Sequence, residues 1–115
     1  MNIDVNTKKM AVIGDPIEHS LSPLMHNSII QANGFNAVYF PFHVKPSELR
    51  RYAESLRNLE FSGFNATMPH KEHLARLVDQ LSPGAAACRS VNTVCIREGR
   101  ALGFSTDGPG FVQSL

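Results

Sequence analysis

Apolar residues first gather in "KMAVIGD" (residues 9–15), a short run closed by Gly-Asp, which is the profile of a strand covered on both faces. After the polar loop "PIEHSL" the period lengthens. Ser22 and Pro23 supply an N-cap and a proline at the first helical position, Met25, Ile29 and Ala32 recur on one face, and Gly34 closes the segment. In "NAVYFPFHV" the residues Val38, Phe40, Phe42 and Val44 alternate toward one side, and Pro41, which cannot donate to a ladder, marks an edge strand or a bulge. From Pro46 the spacing is helical again, with Leu49, Tyr52, Ala53, Leu56 and Leu59 on one face and Arg50, Arg51, Glu54 and Arg57 mostly on the other. "FSGFNAT" reads as a third strand. Pro69 then opens a helix carrying Leu74, Leu77, Val78 and Leu81, which Ser82-Pro83-Gly84 ends. In "SVNTVCIREGRALGF" two short strands meet at Glu98-Gly99 as an antiparallel hairpin. The order predicts an α/β fold, with a mostly parallel sheet, helices on both faces and an antiparallel addition.

Composition narrows the classes of function. A length of 115 residues is one domain, and 43% hydrophobic against 18% charged residues is ordinary for a chain that folds. Eleven Lys and Arg against ten Asp and Glu, without a basic run, exclude the electrostatic footprint of a nucleic-acid binder. No apolar stretch approaches the ~20 residues of a membrane span, and "MNIDVNTKK" lacks the apolar core of a signal peptide. The expected location is therefore cytoplasmic, with Cys88 and Cys95 as reduced thiols. His19, His26, His43, His70 and His73 lack the spacing of a metal site, so no metal is expected.

Ligands of open α/β sheets bind beyond the carboxyl ends of the strands, which directs attention to four polar loops. In "HSLSP", Ser20 and Ser22 stand at a helix entrance; Ser22 serves as a cap alone, or the two hydroxyls hold an anion such as a carboxylate beside the free N–H groups. In "GFNATMPHK", Asn65 and Thr67 end a strand and Lys71 falls in the first turn of a helix. A lysine there opposes the helix dipole by about 0.3–1 kcal/mol. It is either a solvated lysine offset by Glu72 or a group suited to proton transfer or to a developing oxyanion. In "SVNTV", Asn92 offers a donor and an acceptor to a hydroxylated ligand. In "GFSTDGPG", Asp107 is either a helix N-cap or a site carboxylate.

Together "GDPIEHSLSPLMHN", "GFNATMPHK", "VNTV" and "STDGPG", in that order and spacing, resemble the amino-terminal, substrate-binding domain of the shikimate dehydrogenase family over about residues 8 to 111. The resemblance implies a three-layer α/β sandwich with a mainly parallel six-stranded sheet including the antiparallel hairpin. It further implies a Rossmann-type second domain that binds NADP, and reduction of 3-dehydroshikimate to shikimate in the cleft between the two. Ser20 and Ser22 are then assigned to the substrate carboxylate, and Asn65 and Thr67 to the ring. Asn92 falls to ring hydroxyls, and Lys71 and Asp107 form the catalytic pair at the reacting oxygen.

Ser105, Arg89, Ser90 and Ala66 depart from the family's usual Asn, Gly-Ala and Val. Arg89, Ser90 and Ser105 keep quinate or aminoshikimate open as substrates; a stand-alone polyol-carboxylate binding module without catalysis is a separate alternative. No G-x-G-x-x-G follows a strand, and Gln113 stands where the third glycine after Gly108 and Gly110 belongs, so no cofactor is expected on this chain. Residues 108–115 are expected to begin the connection to a nucleotide domain. The apolar "FVQSL" leaves a homodimer open.

Overall fold

The computed structural model describes residues 2–106. Asp107 and the Gly-Pro-Gly after it lie outside the described residues. Six strands, β1 (Lys8–Gly14), β2 (Ala37–His43), β3 (Gly63–Ala66), β4 (Gln80–Leu81), β5 (Thr93–Arg97) and β6 (Arg100–Phe104), form one sheet in the order β2-β1-β3-β5-β6-β4. β1 runs parallel to β2 and β3, and β4 parallel to β6, while β5 is antiparallel to both β3 and β6. The helices are α1 (Ser22–Ala32), α2 (Leu49–Asn58), α3 (Lys71–Leu74) and α4 (Pro83–Cys88).

Two cores explain the layers. On one face Ala11, Ile13, Phe64 and Ala66 of the strands meet Leu49 and Leu56 of α2, Leu74 of α3 and Ala85 of α4. On the other, Val12 and Tyr39 meet Ile30 of α1. β1 lies between β2 and β3 with both faces covered, so Ala11, Val12 and Ile13 are each at most 1% exposed. β2 is the edge that Pro41 predicts. Its outer rim is closed by Asn27 of α1, which accepts from the Tyr39 N–H at 3.0 Å and donates to the Tyr39 carbonyl at 2.9 Å.

Three local readings change. The Met25 and Ile29 stripe of α1 faces outward, 60% and 56% exposed, while Ile30 packs inward. Leu59 is likewise 60% exposed at the end of α2. The third predicted helix is a single turn, because the chain beyond it is captured by β6. Asp79 N–H donates to Ala101 O (2.9 Å), Ala101 N–H to Asp79 Oδ2 (2.7 Å) and Ser82 N–H to Gly103 O (2.9 Å), which turns 80–81 into a strand. Gly103 makes the room, since a Cβ there would lie 2.8 Å from Val91 and 3.0 Å from Val78 side-chain carbons. Ser82-Pro83 is therefore a helix start, with Ser82 Oγ accepting from Ala85 N–H at 3.2 Å, and the helix it begins is α4.

α4 ends on Arg89 at φ 52° and ψ 43°, the left-handed conformation that a side chain disfavours. Arg89→Gly is expected to stabilise the fold by about 1 kcal/mol. Urea unfolding checks this, and an unchanged or lower midpoint contradicts it.

Candidate functional site

The turn carrying Thr67 is laced to the end of β1. Thr67 N–H donates to Ile13 O (3.0 Å), Asp15 N–H to Met68 O (3.2 Å) and Val44 N–H to Gly14 O (2.9 Å). The chain passes so closely that a Cβ on Gly14 would sit 2.2 Å from Thr67 Oγ1. His70 follows, fully buried, with its Nε2–H donating to Val44 O at 2.6 Å, which ties the turn to the end of β2 as well. Lys71 then accepts from Val91 N–H through its carbonyl at 2.9 Å, and this bond brings its segment beside Asn92.

Asn65, Thr67, Lys71 and Asn92 line one cavity of about 370 Å³, together with Thr93 and Thr106. A larger hollow of about 620 Å³ beside Arg57, Phe61 and Glu98 lies at the opposite end of the strands, where α/β sheets do not place ligands. The polar wall exists because α1 covers β1 and β2 while β3 and β5 continue the same face beyond it. Tyr39 Oη–H donates to Asn65 Oδ1 (2.8 Å), and Asn65 Nδ2 donates to Thr93 Oγ1 (3.1 Å) and Asn92 O (3.4 Å). Thr93 Oγ1 donates to Asn92 Oδ1 (3.0 Å). Asn92 grips Thr106 at both ends, Nδ2 donating to Thr106 Oγ1 and Oδ1 accepting from Thr106 N–H at 3.2 Å.

Burial pushes the Tyr39 hydroxyl up to about 12 from its ordinary 10. The neutral phenol is the form the fold favours, so this stabilisation is complete below pH 10 and is lost as the pH rises toward 12. Wild type should therefore lose more unfolding free energy than Tyr39→Phe between pH 10 and 12. Parallel losses in the two proteins contradict this.

A family model described as the shikimate dehydrogenase substrate binding domain matches residues 12–94. The chain belongs to that family. The NADP(+) shikimate dehydrogenase of Rubrobacter xylanophilus is 50% identical over 111 residues, which cover 96% of this chain and 39% of that enzyme. The crystal structure of shikimate 5-dehydrogenase from Listeria monocytogenes, in complex with shikimate and NAD, matches with a TM-score of 0.89 at 36% identity over 98% of this chain and 39% of that one. Ligand-free 5-ketofructose reductase of Gluconobacter sp. matches with a TM-score of 0.88 at 28% identity over 96% of this chain and 40% of that one. The chain thus spans about two fifths of the length of these relatives.

Within this shikimate dehydrogenase substrate-binding domain, four of the residues singled out from sequence share the cavity: Asn65, Thr67, Lys71 and Asn92. Ser20 and Ser22 lie on the β1–α1 segment, half-buried, and are not among the side chains that line it. Ser22 is the first residue of α1 rather than its cap, and its N–H donates to Ser20 Oγ at 3.3 Å. Asp107 lies outside the described residues. The helix dipole at Lys71 is weak, because α3 is four residues long and a single turn aligns few peptide units.

The departures from the family pattern also sort themselves. Arg89 faces a separate hollow with Glu72 and Arg76, and Ser105 is 1% exposed; the neighbour that reaches the cavity is Thr106. Thr93 and Thr106 complete the wall, and Tyr39 stands behind it bonded to Asn65, without having been singled out. Register is the signal that finds the first, since Thr93 stands directly across from Asn65 in the β3–β5 pair.

Proposed function

We propose that this domain binds shikimate and 3-dehydroshikimate as the substrate half of an NADP-dependent shikimate dehydrogenase. The observation that carries the reading is the convergence of Lys71, Asn65, Thr67 and Asn92 on one polar cavity beyond the carboxyl end of β3. Ser20 and Ser22, at the start of α1, are assigned to the carboxylate. Asn65, Thr67 and Asn92 are assigned to the ring and its hydroxyls, because carboxamides and hydroxyls both donate and accept. Lys71, with Asp107, holds or takes the proton at the reacting oxygen. NADP(H), when bound, supplies or takes the hydride. No described turn has the glycine pattern that such a group requires, so its binding is assigned to a separate nucleotide-binding domain.

Calorimetric titration of shikimate into the 115-residue chain should give saturable binding with one site, and the chain should not reduce NADP in the presence of shikimate. A titration without heat, or turnover by the chain alone, contradicts the proposal. Quinate, which carries one more hydroxyl than shikimate, is the informative competitor. Displacement of quinate by a lower concentration of shikimate supports the assignment, and the reverse order moves it to quinate.

A further inference from the structure

Tyr39 does not line the cavity, yet it stands at the head of the hydrogen bonds that shape the wall. It is 4% exposed, its backbone N–H and carbonyl are both held by Asn27, and His26 stacks on its ring with centroids 4.3 Å apart and planes 17° from parallel. The two ends of a carboxamide have nearly the same shape and opposite hydrogen-bonding character, so neighbours decide which end points where. The Asn92 carbonyl only accepts and so holds Nδ2 at the β5 side, which turns Oδ1 toward Tyr39 and makes the Tyr39 hydroxyl its donor. Asn65 then donates to Thr93, and Thr93 is left to donate to Asn92 Oδ1. The donors run in one sense from the covered face under α1 to the cavity. Reversing Asn65 would make Thr93 a donor toward Asn65 and withdraw its proton from Asn92.

We propose that Tyr39 is a positioning residue for substrate, its hydroxyl holding Asn65 Oδ1 and thereby anchoring the chain Tyr39–Asn65–Thr93–Asn92 and the polar atoms the wall presents to a ring hydroxyl. The proposal deepens the shikimate-binding reading and rests on it for the identity of the ligand. Tyr39→Phe keeps the ring, its stacking and its burial, and removes one hydrogen bond. In the 115-residue chain it should shift the Asn65 side-chain NH₂ resonances. It should also weaken shikimate binding about fivefold, the equivalent of one ordinary hydrogen bond. In an Asn65→Ala background the same replacement should change the affinity less than twofold, because Tyr39 acts through Asn65.

Unmoved Asn65 resonances in Tyr39→Phe overturn the proposal. So does a fivefold loss that persists undiminished beside Asn65→Ala. Should the unmodified chain fail to bind shikimate, the reading of the ligand falls while the Asn65 resonances still decide the role of Tyr39.

Discussion

Replacing Gly14 by alanine is expected to lower the unfolding free energy by about 1–3 kcal/mol, the range for overpacking a filled interior, and to remove detectable shikimate binding. Gly14 is not in a left-handed conformation, so the effect comes from volume alone: the added methyl would lie 2.2 Å from Thr67 Oγ1, 3.2 Å from Ile17 Cδ1 and 3.4 Å from Pro16 O. The backbone on both sides cannot retreat. Gly14 O accepts from Val44 N–H, and Thr67 N–H is bonded to Ile13 O, so Thr67 must swing its hydroxyl away or the turn must lift from β1. Either response displaces a residue of the cavity wall. Urea unfolding and calorimetry on the same sample check both parts, and a Gly14→Ala chain with wild-type stability and affinity contradicts the account.

The second large effect belongs to Lys71. In an enzyme that joins this domain to its nucleotide-binding partner, Lys71→Ala is expected to lower kcat by about 10²–10⁴-fold, the usual contribution of a positioned acid or base. KM for shikimate should change much less, because Asn65, Thr67 and Asn92 remain. Lys71 is held in place by its backbone, whose carbonyl accepts from Val91, so the replacement should leave the fold intact. Steady-state kinetics with circular dichroism on the variant check this. A variant with kcat near wild type and a raised KM makes Lys71 a binding group alone.

Much of the fold is legible because it is written in local signals. The run ending in Gly14, the proline at 41 and the Glu98-Gly99 turn each announce a strand, an edge and a hairpin through their own chemistry. What fails is decided by distant partners. Leu77, Val78 and Leu81 have helical spacing, yet the free edge of β6 offers backbone partners and Gly103 offers space, and neither is visible from residues 71–82. Met25 and Ile29 look like a core stripe until Tyr39 and Val12 fix which side of α1 faces the sheet.

The site follows the same division. Asn65, Thr67, Lys71 and Asn92 stand out because they fall in polar loops at strand ends and within the ordered motifs that resemble the family, and the structure gathers those four in one cavity. Tyr39 and Thr93 do not stand out, since a tyrosine or a threonine within a strand is ordinary. Their importance rests on register, Tyr39 and Thr93 sharing the sheet face on which Asn65 lies.

On the proposed reading, shikimate occupies the cavity between β3, β5 and the Lys71 turn. Titration of isotope-labelled chain with shikimate, followed by two-dimensional NMR, tests it most directly. Saturable shifts are expected at Asn65, Thr67, Lys71 and Asn92, extending to Ser20 and Ser22, with the resonances of Arg57, Glu60 and Glu98 at the opposite end of the sheet unmoved. Shifts confined to that opposite end, or none at saturating shikimate, would contradict it.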